Sequence, residues 1–398
     1  MNRLLVGVGR LFTPGQPIRE NVDLLLEGEL IRAVGPTGSI TAPADAEVYD
    51  CGRAVLTPGL IDAHTHPLYA RARLSEIAER STGVSYAEIA RRGGGINATV
   101  TETRRAPWEQ MEGELRQRLE RWLGSGTTTV EAKTGYWLDR AGEIGAVRLL
   151  HRLSAEPTLP QLAVTFLGAH SIPAEFAGRR GEYVEAVASW NEEAEREGAQ
   201  FCDVFCDQGE FTVAESALVL QRAAAAGLLL RVHADELALT GATRLAVDLG
   251  AVSADHLLRI GAAEITALAG SSTVATLCPV TALSMGAKPP ARDLLAAGVQ
   301  LALGSDHNPG TSGTTSMSLV VWLAVTELGL SVEQALTAAT FGGSLSLALP
   351  DRGQVQPGMR ADLVLWDTDH EGGFAWRPDL APLEVWRAGQ ASGRLPGN

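Results

Sequence analysis

The chain has 398 residues, of which 45% are hydrophobic and 20% are charged, proportions that are typical of a globular protein. Its net charge of −14 argues against nucleic-acid binding, and no run rich in Lys or Arg offsets that charge. The sequence contains no stretch of about 18 uninterrupted apolar residues, so no transmembrane helix is expected.

The first residues, MNRLLVGVGRLFTPG, combine a basic residue with an apolar stretch. Arg10 interrupts that stretch and no small-residue cleavage site follows it, so the alternation favours a strand over a signal peptide. The four cysteines are scattered without zinc-finger spacing, and two of them lie in the apolar sequence FCDVFC. We therefore expect a reduced, cytoplasmic protein.

Both ends of the chain contain short strand-like runs broken by Gly, Pro and Asn. Residues 1–57 include RLLVGV, DLLLEG, LIRAVG and AEVYD, and residues 349–398 include GQVQPGMRADLVLWD and PLEVWRAGQ. We predict that these two segments combine into one small β-sandwich domain. Between them, residues 58–348 alternate apolar runs with helical segments rich in Ala, Leu, Glu and Arg.

The middle segment contains eight runs that are expected to be strands. They are PGLIDAHTH, TTTVEAKTGY, LAVTFLGAH, FCDVFCD, LLLRVHADE, AVSADHL, TVATLCP and QLALGSDHNPG. Eight β/α units over roughly 290 residues match the size of a (β/α)8 barrel, an α/β fold. A doubly wound open sheet is the alternative, but no Gly-rich nucleotide-binding turn follows the first run.

Polar side chains gather where these strands end, which is where the active site of such a barrel lies. His64 and His66 follow the first run, and alternate residues of a strand share a face, so their side chains should project together. Five of the eight histidines fall at such ends. The strand-end residues are His64, His66, Glu131, Lys133, Tyr136, His170, Asp207, His233, Glu236, Asp255, His256, Asp306 and Asn308.

Three imidazoles and one carboxylate form a site for zinc or iron that keeps one position open for water. We predict one Zn²⁺, Fe²⁺ or Fe³⁺ ion per subunit, with the ligands His64, His66, His233 and Asp306. A core histidine bonded to a backbone carbonyl is the alternative for His233, and a turn residue before NPG is the alternative for Asp306. Binuclear hydrolases of this architecture carry a lysine at the end of strand 4, but here that strand ends in FCD, which favours a single ion.

A metal of this kind lowers the pKa of a bound water to about 7, and a nearby group must then move a proton to the leaving nitrogen. Glu236, three residues after His233, and His256 at the end of strand 6 are placed for this step. Alternatively, Glu236 is a solvated carboxylate in a loop, and His256 is hydrogen-bonded to a metal ligand and orients it. Lys133 on strand 2 is expected to pair with Glu131 or another acid.

In chain order, HTH on strand 1, His on strands 5 and 6 and Asp on strand 8 resemble the amidohydrolase superfamily. Motifs over nearly the whole chain resemble its imidazolonepropionase family: SYAEIARRGGGINATVTETR, VEAKTGY, TFLGAHSIPAEF, DVFCDQGEF, VHADEL, SADHL and SDHNPG. The resemblance implies a hydrolase of histidine degradation that opens the cyclic amide 4-imidazolone-5-propanoate to N-formimidoyl-L-glutamate.

The resemblance also implies roles for single residues, with one Zn or Fe bound by His64, His66, His233 and Asp306. The substrate contacts that it implies are Arg73, Tyr136, His170, Glu236, Asn308, Gly310 and Thr311, and the catalytic candidates are Glu236, His256, Asp306 and His170. Arg73 would bind the propionate as a fork, although Arg71 on the same stretch could compete. Tyr136 can pack on the ring, and His170 can donate to the ring oxygen or, alternatively, be structural.

Two residues depart from the family pattern. Trp137 replaces the glycine of a GYG sequence and could reshape a loop, whereas His307 replaces an aromatic and should point away from Asp306 or else reach the metal. We expect a homodimer that acts on a small anionic substrate. One alternative is another ring amidohydrolase or aromatic deaminase of the superfamily. The other is a non-enzymatic binding protein on the same scaffold, but such proteins have typically lost metal ligands, whereas all four are present here.

Overall fold

The computed structural model describes residues 2–84, 88–89 and 92–392 of the chain. Part of one motif used above, residues 85–87 with 90 and 91 of SYAEIARRGGGINATVTETR, lies outside the described residues. The same holds for residue 1 and for residues 393–398, at the outer ends of the two segments predicted to form the small β domain. Within the described ranges, no helix is long and apolar enough to cross a membrane.

Five strands at the start of the chain belong to a mixed sheet outside the barrel. They are β1 Asn2–Leu11, β2 Arg19–Glu27, β3 Leu30–Pro36, β4 Glu47–Asp50 and β5 Val55–Pro58. β1 pairs antiparallel with β2 and parallel with both β4 and β5. The buried side chains of Leu5, Leu24 and Leu56 pack together in a core that belongs to this sheet.

Eight parallel strands follow, and each neighbours the next one along the chain. They are β6 Leu60–Asp62, β7 Thr127–Lys133, β8 Gln161–Ala169, β9 Phe201–Cys206, β10 Leu229–Ala234, β11 Ser253–His256, β12 Val274–Leu277 and β13 Leu301–Leu303. Each lies within or overlaps one of the eight predicted runs. The prediction of a parallel barrel is therefore confirmed.

The two ends of this sheet meet beyond β6 and β13. The backbone N–H of Ala63 donates to the carbonyl oxygen of Leu303, and that of His66 donates to the carbonyl oxygen of His307. A parallel bridge also joins Thr65 to His307. These contacts close the barrel and continue the strand-like alternation past Asp62, where the regular pairing of β6 ends.

Helices connect the strands and turn their apolar faces inward. In the helix Trp108–Gly124, for example, Met111, Leu115, Leu119 and Trp122 recur at helical spacing and are buried. The α-helices with described bounds are Leu74–Ser81, Ile96–Arg105, Trp108–Gly124, Arg140–Ser154, Arg180–Ser189, Asn191–Arg196, Val213–Ala225, Ala242–Asp248, Ala262–Ala269, Pro279–Ser284, Ala291–Ala296, Met317–Thr326, Val332–Thr337, Gly343–Ser346 and Gly373–Trp376. A 3₁₀ turn spans Ala174–Phe176, and a π-helical turn spans Ala338–Gly342.

The chain returns to the first sheet through its last three strands. They are β14 Leu363–Trp366, β15 Pro382–Arg387 and β16 Gln390–Ala391. β14 pairs antiparallel with β5, which joins the two ends of the chain in one connected mixed sheet. The prediction of a small β domain shared by both chain ends is confirmed in this form.

β14 also attaches the small domain to the barrel. Leu363 and Leu365 face the core of the small sheet, whereas Val364 and Trp366 alternate with them and join the barrel core. The Nε1–H of Trp366 donates to Oγ1 of Thr57 at 2.8 Å. A Cβ atom at Gly126, just before β7, would lie 2.8 Å from the Trp366 ring, so the two domains are in tight contact.

Trp366→Ala should lower the free energy of unfolding by about 3–5 kcal/mol, because it removes a fully buried ring from the contact between the domains. Trp376→Ala is the matched control: its side chain is 81% exposed, and the change should stay within about 0.5 kcal/mol. Urea unfolding of both variants measures the difference. Equal effects would contradict the role of Trp366 at this contact.

Candidate active site

The carboxyl ends of the barrel strands surround a cavity that holds about 490 Å³ of empty space, part of it open to solvent. Ten of the sequence-predicted site residues line it: His66, Arg73, Tyr136, His170, His233, Glu236, His256, Asp306, Asn308 and Thr311. Apolar side chains complete the lining: Ile96, Phe205, Leu237 and Met285. The barrel therefore gathers residues from distant positions of the sequence around one pocket.

Ligand atoms of His64, His66 and His233 lie within 4.8 Å of one another, and the carboxylate of Asp306 lies beside two of these imidazoles. Nε2 of His66 lies 3.3 Å from Nε2 of His64 and 3.2 Å from Nε2 of His233. Oδ1 of Asp306 lies 3.6 Å from Nε2 of His64 and 3.5 Å from Nε2 of His66. A tetrahedron with bonds of about 2.1 Å has edges of about 3.4 Å. The residues that the sequence predicts as metal ligands are thus brought together in a fitting arrangement.

The surroundings keep these imidazoles in the form that binds a metal. Burial lowers the pKa of His64 and of His66 well below the usual range, and Lys133 and the neighbouring histidines lower it further. Neutral imidazole is the ligand form of histidine. Nδ1 of His64 bonds to Oδ2 of Asp255 at 2.6 Å, and Nδ1 of His233 lies 2.9 Å from Oδ2 of Asp203. Such carboxylates orient a ligand and direct its Nε2 toward the metal.

Two buried cations hold these orienting carboxylates in place. Nζ of Lys133 donates to Oδ2 of Asp203 at 2.7 Å and to Oε1 of Glu131 at 2.8 Å, so Lys133 has the acidic partner that the sequence predicts. Nη2 of Arg231 donates to Oδ2 of Asp255 at 3.1 Å. Burial alone would lower the pKa of Lys133, but the carboxylates of Asp203 and Glu131 raise it above its usual value. The ammonium therefore stays charged.

Asp306 is held in an unusual conformation. Its φ of 47° lies in the left-handed region, which is strained for a residue with a side chain. Burial raises its pKa to about 6, and a hydrogen bond from Thr281 opposes part of that rise. Oγ1 of Thr281 donates to Oδ2 of Asp306 at 2.6 Å. Sequence reasoning missed Thr281, because it lies in the helix after β12 and resembles an ordinary helical threonine.

Glu236 and His256 lie together in the cavity. Oε1 of Glu236 is 3.8 Å from Nδ1 of His256. The carboxylate of Asp207 accepts the backbone N–H groups of Glu236 and Leu237 at 2.7 and 2.8 Å, which fixes the loop after β10. Burial raises the pKa of Glu236 well above the usual range, and the charges of Asp306 and Asp207 raise it further. A raised pKa favours the protonated carboxyl group, which is the form that can donate a proton.

The hydrogen bonding of His170 restricts what it can do. Its Nδ1 lies 2.9 Å from the carbonyl oxygen of Gly135, which can only accept, so Nδ1 carries the hydrogen. Burial lowers the pKa of His170 to about 3, so the ring is neutral and Nε2 is an acceptor. Donation from Nε2 to a ring oxygen, the role considered in the sequence analysis, would require the protonated imidazole. An N–H group of a ligand matches Nε2 better.

Arg73 lies at the cavity wall, whereas Arg71 is exposed and does not line the cavity. Nε of Arg73 donates to Oε2 of Glu76 at 2.8 Å, and Nη1 of Arg73 donates to Oγ1 of Thr99 at 2.6 Å. A Cβ atom at Gly310 would lie 1.9 Å from Nη2 of Arg73. Only glycine at that position leaves the guanidinium where it is.

The loop after β13 is folded around the side chain of Asn308. Its Oδ1 accepts the backbone N–H groups of Gly310 and Thr311 at 2.7 and 2.8 Å. Its Nδ2 donates to Oγ1 of Thr311 at 2.6 Å. The structure therefore brings together these three predicted substrate contacts and places Gly310 against Arg73.

The two residues that depart from the family pattern both point away from the cavity. The ring of Trp137 stacks on Trp108 with a centroid distance of 4.7 Å, and it packs against Gly142. Nε2 of His307 lies 3.0 Å from the hydroxyl of Tyr69, and its Nδ1 lies 3.1 Å from the carbonyl oxygen of Thr314. His307 is thus engaged on the side of its strand opposite the metal ligands.

The chain matches the family model "Amidohydrolase family" over residues 55–391. Among solved structures, a triazine hydrolase variant superposes with a TM-score of 0.76 at 18% identity, covering 98% of this chain and 94% of that chain. An adenosine deaminase from Xanthomonas campestris with bound zinc superposes with a TM-score of 0.73 at 20% identity, covering 98% and 92%. These two share the fold. The chain belongs to the amidohydrolase family, and its buried histidine group indicates a metal.

Closer relatives refine this membership. The chain is 40% identical over 398 residues to the imidazolonepropionase of Rhodococcus jostii (strain RHA1), covering 97% of this chain and 94% of that protein. It is 36% identical over 407 residues to the imidazolonepropionase of Bacillus cereus (strain G9842), covering 98% and 96%. Within the amidohydrolases the chain thus groups with the imidazolonepropionases, which confirms the resemblance seen in its motifs.

His233→Ala should abolish metal retention, because it removes one corner of the ligand group and leaves the others unable to close around an ion. His307→Ala is the matched control, since that imidazole bonds to Tyr69 and should be dispensable for metal binding. Metal analysis of both dialysed variants measures the effect. A metal content in His233→Ala equal to that of His307→Ala would contradict the ligand assignment.

Proposed function

We propose that this chain hydrolyses 4-imidazolone-5-propanoate to N-formimidoyl-L-glutamate, with one zinc or iron ion held by His64, His66, His233 and Asp306. The observation that carries the proposal is that one cavity is lined both by three members of this ligand group, His66, His233 and Asp306, and by Arg73. The names of the relatives reported above agree with it. Three imidazoles with one carboxylate suit either metal.

In the reaction, a water oxygen bonds to the ring carbonyl carbon, the ring C–N bond breaks, and the leaving nitrogen takes a proton. When bound, the metal supplies Lewis acidity that polarises the carbonyl and acidifies water. Glu236 and His256 do the proton transfer. Burial raises the pKa of Glu236, which favours the protonated form that can donate to the leaving nitrogen, and Nδ1 of His256 lies 3.8 Å from its carboxyl group.

The flat ring is oriented by aromatic groups. The rings of His66 and His170 are nearly parallel, with centroids 5.0 Å apart and an angle of 17°. Tyr136 lies with its centroid 5.2 Å from that of His170. In this proposal, Nε2 of His170 accepts a ring N–H, and Tyr136 covers the ring. A planar heterocycle is thereby fixed relative to Glu236.

The propionate tail is bound by Arg73. Because the protein carries a net charge of −14, attraction of an anion must come from a local cation. A guanidinium has five N–H donors and can bind a carboxylate beside other partners, and in Arg73 it would bind the tail beside its contacts to Glu76 and Thr99. The absence of a side chain at Gly310 keeps that guanidinium in place.

We also propose the division of the chain into a small β domain of residues 1–57 and 349–398 and a catalytic barrel of residues 58–348. The change of sheet between β5 and β6 supports the first boundary. A cytoplasmic homodimer completes the proposal. The four cysteines, all buried and free, suit a reducing compartment.

The direct test is to add purified protein to freshly prepared 4-imidazolone-5-propanoate and follow the loss of its ultraviolet absorbance. We expect loss well above the spontaneous rate, arrest after removal of the metal by a chelator, and recovery after addition of zinc or iron. A metal-loaded protein that leaves the spontaneous rate unchanged would contradict the proposed substrate.

Arg73→Ala should raise KM by about 10- to 100-fold with a smaller change in kcat, because a charged hydrogen bond to the tail is lost from ground state and transition state alike. Arg71→Ala serves as the control and should leave KM within about threefold, since that side chain is exposed. Steady-state kinetics of the two variants separate the roles. A larger KM effect for Arg71→Ala would reassign the carboxylate contact.

A further inference from the structure

A chain of side-chain hydrogen bonds links the metal-ligand carboxylate to the loop after β13. Oγ1 of Thr281 lies 2.6 Å from Oδ2 of Asp306 and 2.9 Å from Oγ1 of Thr311. Nδ2 of Asn308 lies 2.6 Å from Oγ1 of Thr311. Thr281 is 1% exposed, so water does not compete for its hydroxyl. This series of hydrogen bonds therefore connects the helix after β12 with the loop after β13.

Chemistry fixes the direction of each bond in this chain. An ionised carboxylate can only accept, so the single hydroxyl hydrogen of Thr281 belongs to Asp306. Thr281 must then accept from Thr311, and the oxygen of Thr311 in turn accepts from the amide of Asn308. In each of these three hydrogen bonds, the donor is the residue farther from the Asp306 carboxylate. No hydroxyl in it can rotate without breaking a bond.

The result is a carboxylate whose two oxygens have different partners. Oδ1 of Asp306 faces the Nε2 atoms of His64 and His66 at 3.6 and 3.5 Å, whereas Oδ2 is occupied by Thr281. The left-handed φ of Asp306 means that the backbone alone does not favour this placement. An external donor is needed to hold it.

We propose that Thr281 is a positioning residue that restricts Asp306 to binding through one oxygen and couples it to the loop Asn308–Thr311. Its effect on turnover rests on the proposed function, whereas its effect on metal affinity does not. Without the hydroxyl, Oδ2 is left buried without its donor, and the carboxylate can turn both oxygens toward the ion or swing away from it.

The test compares three variants of the full chain. Thr281→Val keeps the shape of the side chain and removes the donor, and Thr281→Ser keeps the hydroxyl. Thr273→Val is a matched control, because Thr273 is also buried and its Oγ1 donates to the backbone carbonyl of Ala251 at 2.8 Å, at the opposite end of β12. For each variant, the Zn²⁺ dissociation constant is measured by competition with a chelating dye. The kcat and KM of the zinc-loaded form are also measured.

We expect Thr281→Val to weaken Zn²⁺ binding by about 10- to 100-fold and to lower kcat by a similar factor, with KM changed far less. Thr281→Ser should recover both properties to within about threefold, and Thr273→Val should leave both unchanged. Thr311→Val removes the next link, and the double variant Thr281→Val/Thr311→Val should bind Zn²⁺ no more weakly than Thr281→Val alone. Zinc affinity is compared here because Thr311 is also a proposed substrate contact.

A folded Thr281→Val protein that keeps the wild-type zinc affinity and kcat would overturn the inference. If Thr281→Val fails to fold, Thr311→Val carries the test, and an unchanged zinc affinity in that variant would overturn the inference equally. Weakened zinc binding in Thr281→Val would support the inference even if the wild-type protein left the imidazolone substrate intact, an outcome that would reject only the proposed function.

Discussion

The arrangement of the site depends on the two cations buried inside the barrel. Lys133 and Arg231 are fully buried, and each contacts a carboxylate, Asp203 or Asp255, that in turn contacts an imidazole of the ligand group. Removing a charge from water costs several kcal/mol unless partners compensate it, so these ions are stable only as a group. Because the group is rigid, the carboxylates point the imidazoles in fixed directions. The imidazoles of the ligand group are thus oriented by contacts inside the barrel, on the side away from the cavity.

The cavity above this layer is built from strained and closely fitted backbone. Asp235, His256 and Asp306, at the ends of β10, β11 and β13, all have positive φ. Such conformations cost on the order of 1–3 kcal/mol each and persist where surrounding contacts impose them. Gly310 and Arg73 are also closely packed, since a methyl group at Gly310 would displace the guanidinium of Arg73. The placement of the site residues therefore costs local stability at this end of the barrel. The small sheet and Trp366 stabilise other parts of the fold.

Sequence reasoning recovered the features that follow from periodicity. The alternation in HTH predicted that His64 and His66 share a face, and it holds although β6 ends at Asp62, because the bridge from Thr65 to His307 continues the strand geometry. It could not recover features set by through-space contacts. Thr281 donates to a residue 25 positions away, and the acceptor state of His170 depends on a carbonyl 35 positions away. Neither the partner nor the direction of such a bond is written in local sequence.

We expect three imidazoles and one carboxylate to enclose a single ion. X-ray absorption spectroscopy at the metal edge of the purified protein tests it most directly. We expect only nitrogen and oxygen neighbours at about 2.0–2.2 Å, with the outer-shell scattering of imidazole rings. A sulfur neighbour at about 2.3 Å, which would bring in buried Cys278, or a second metal at about 3.5–4 Å would contradict it.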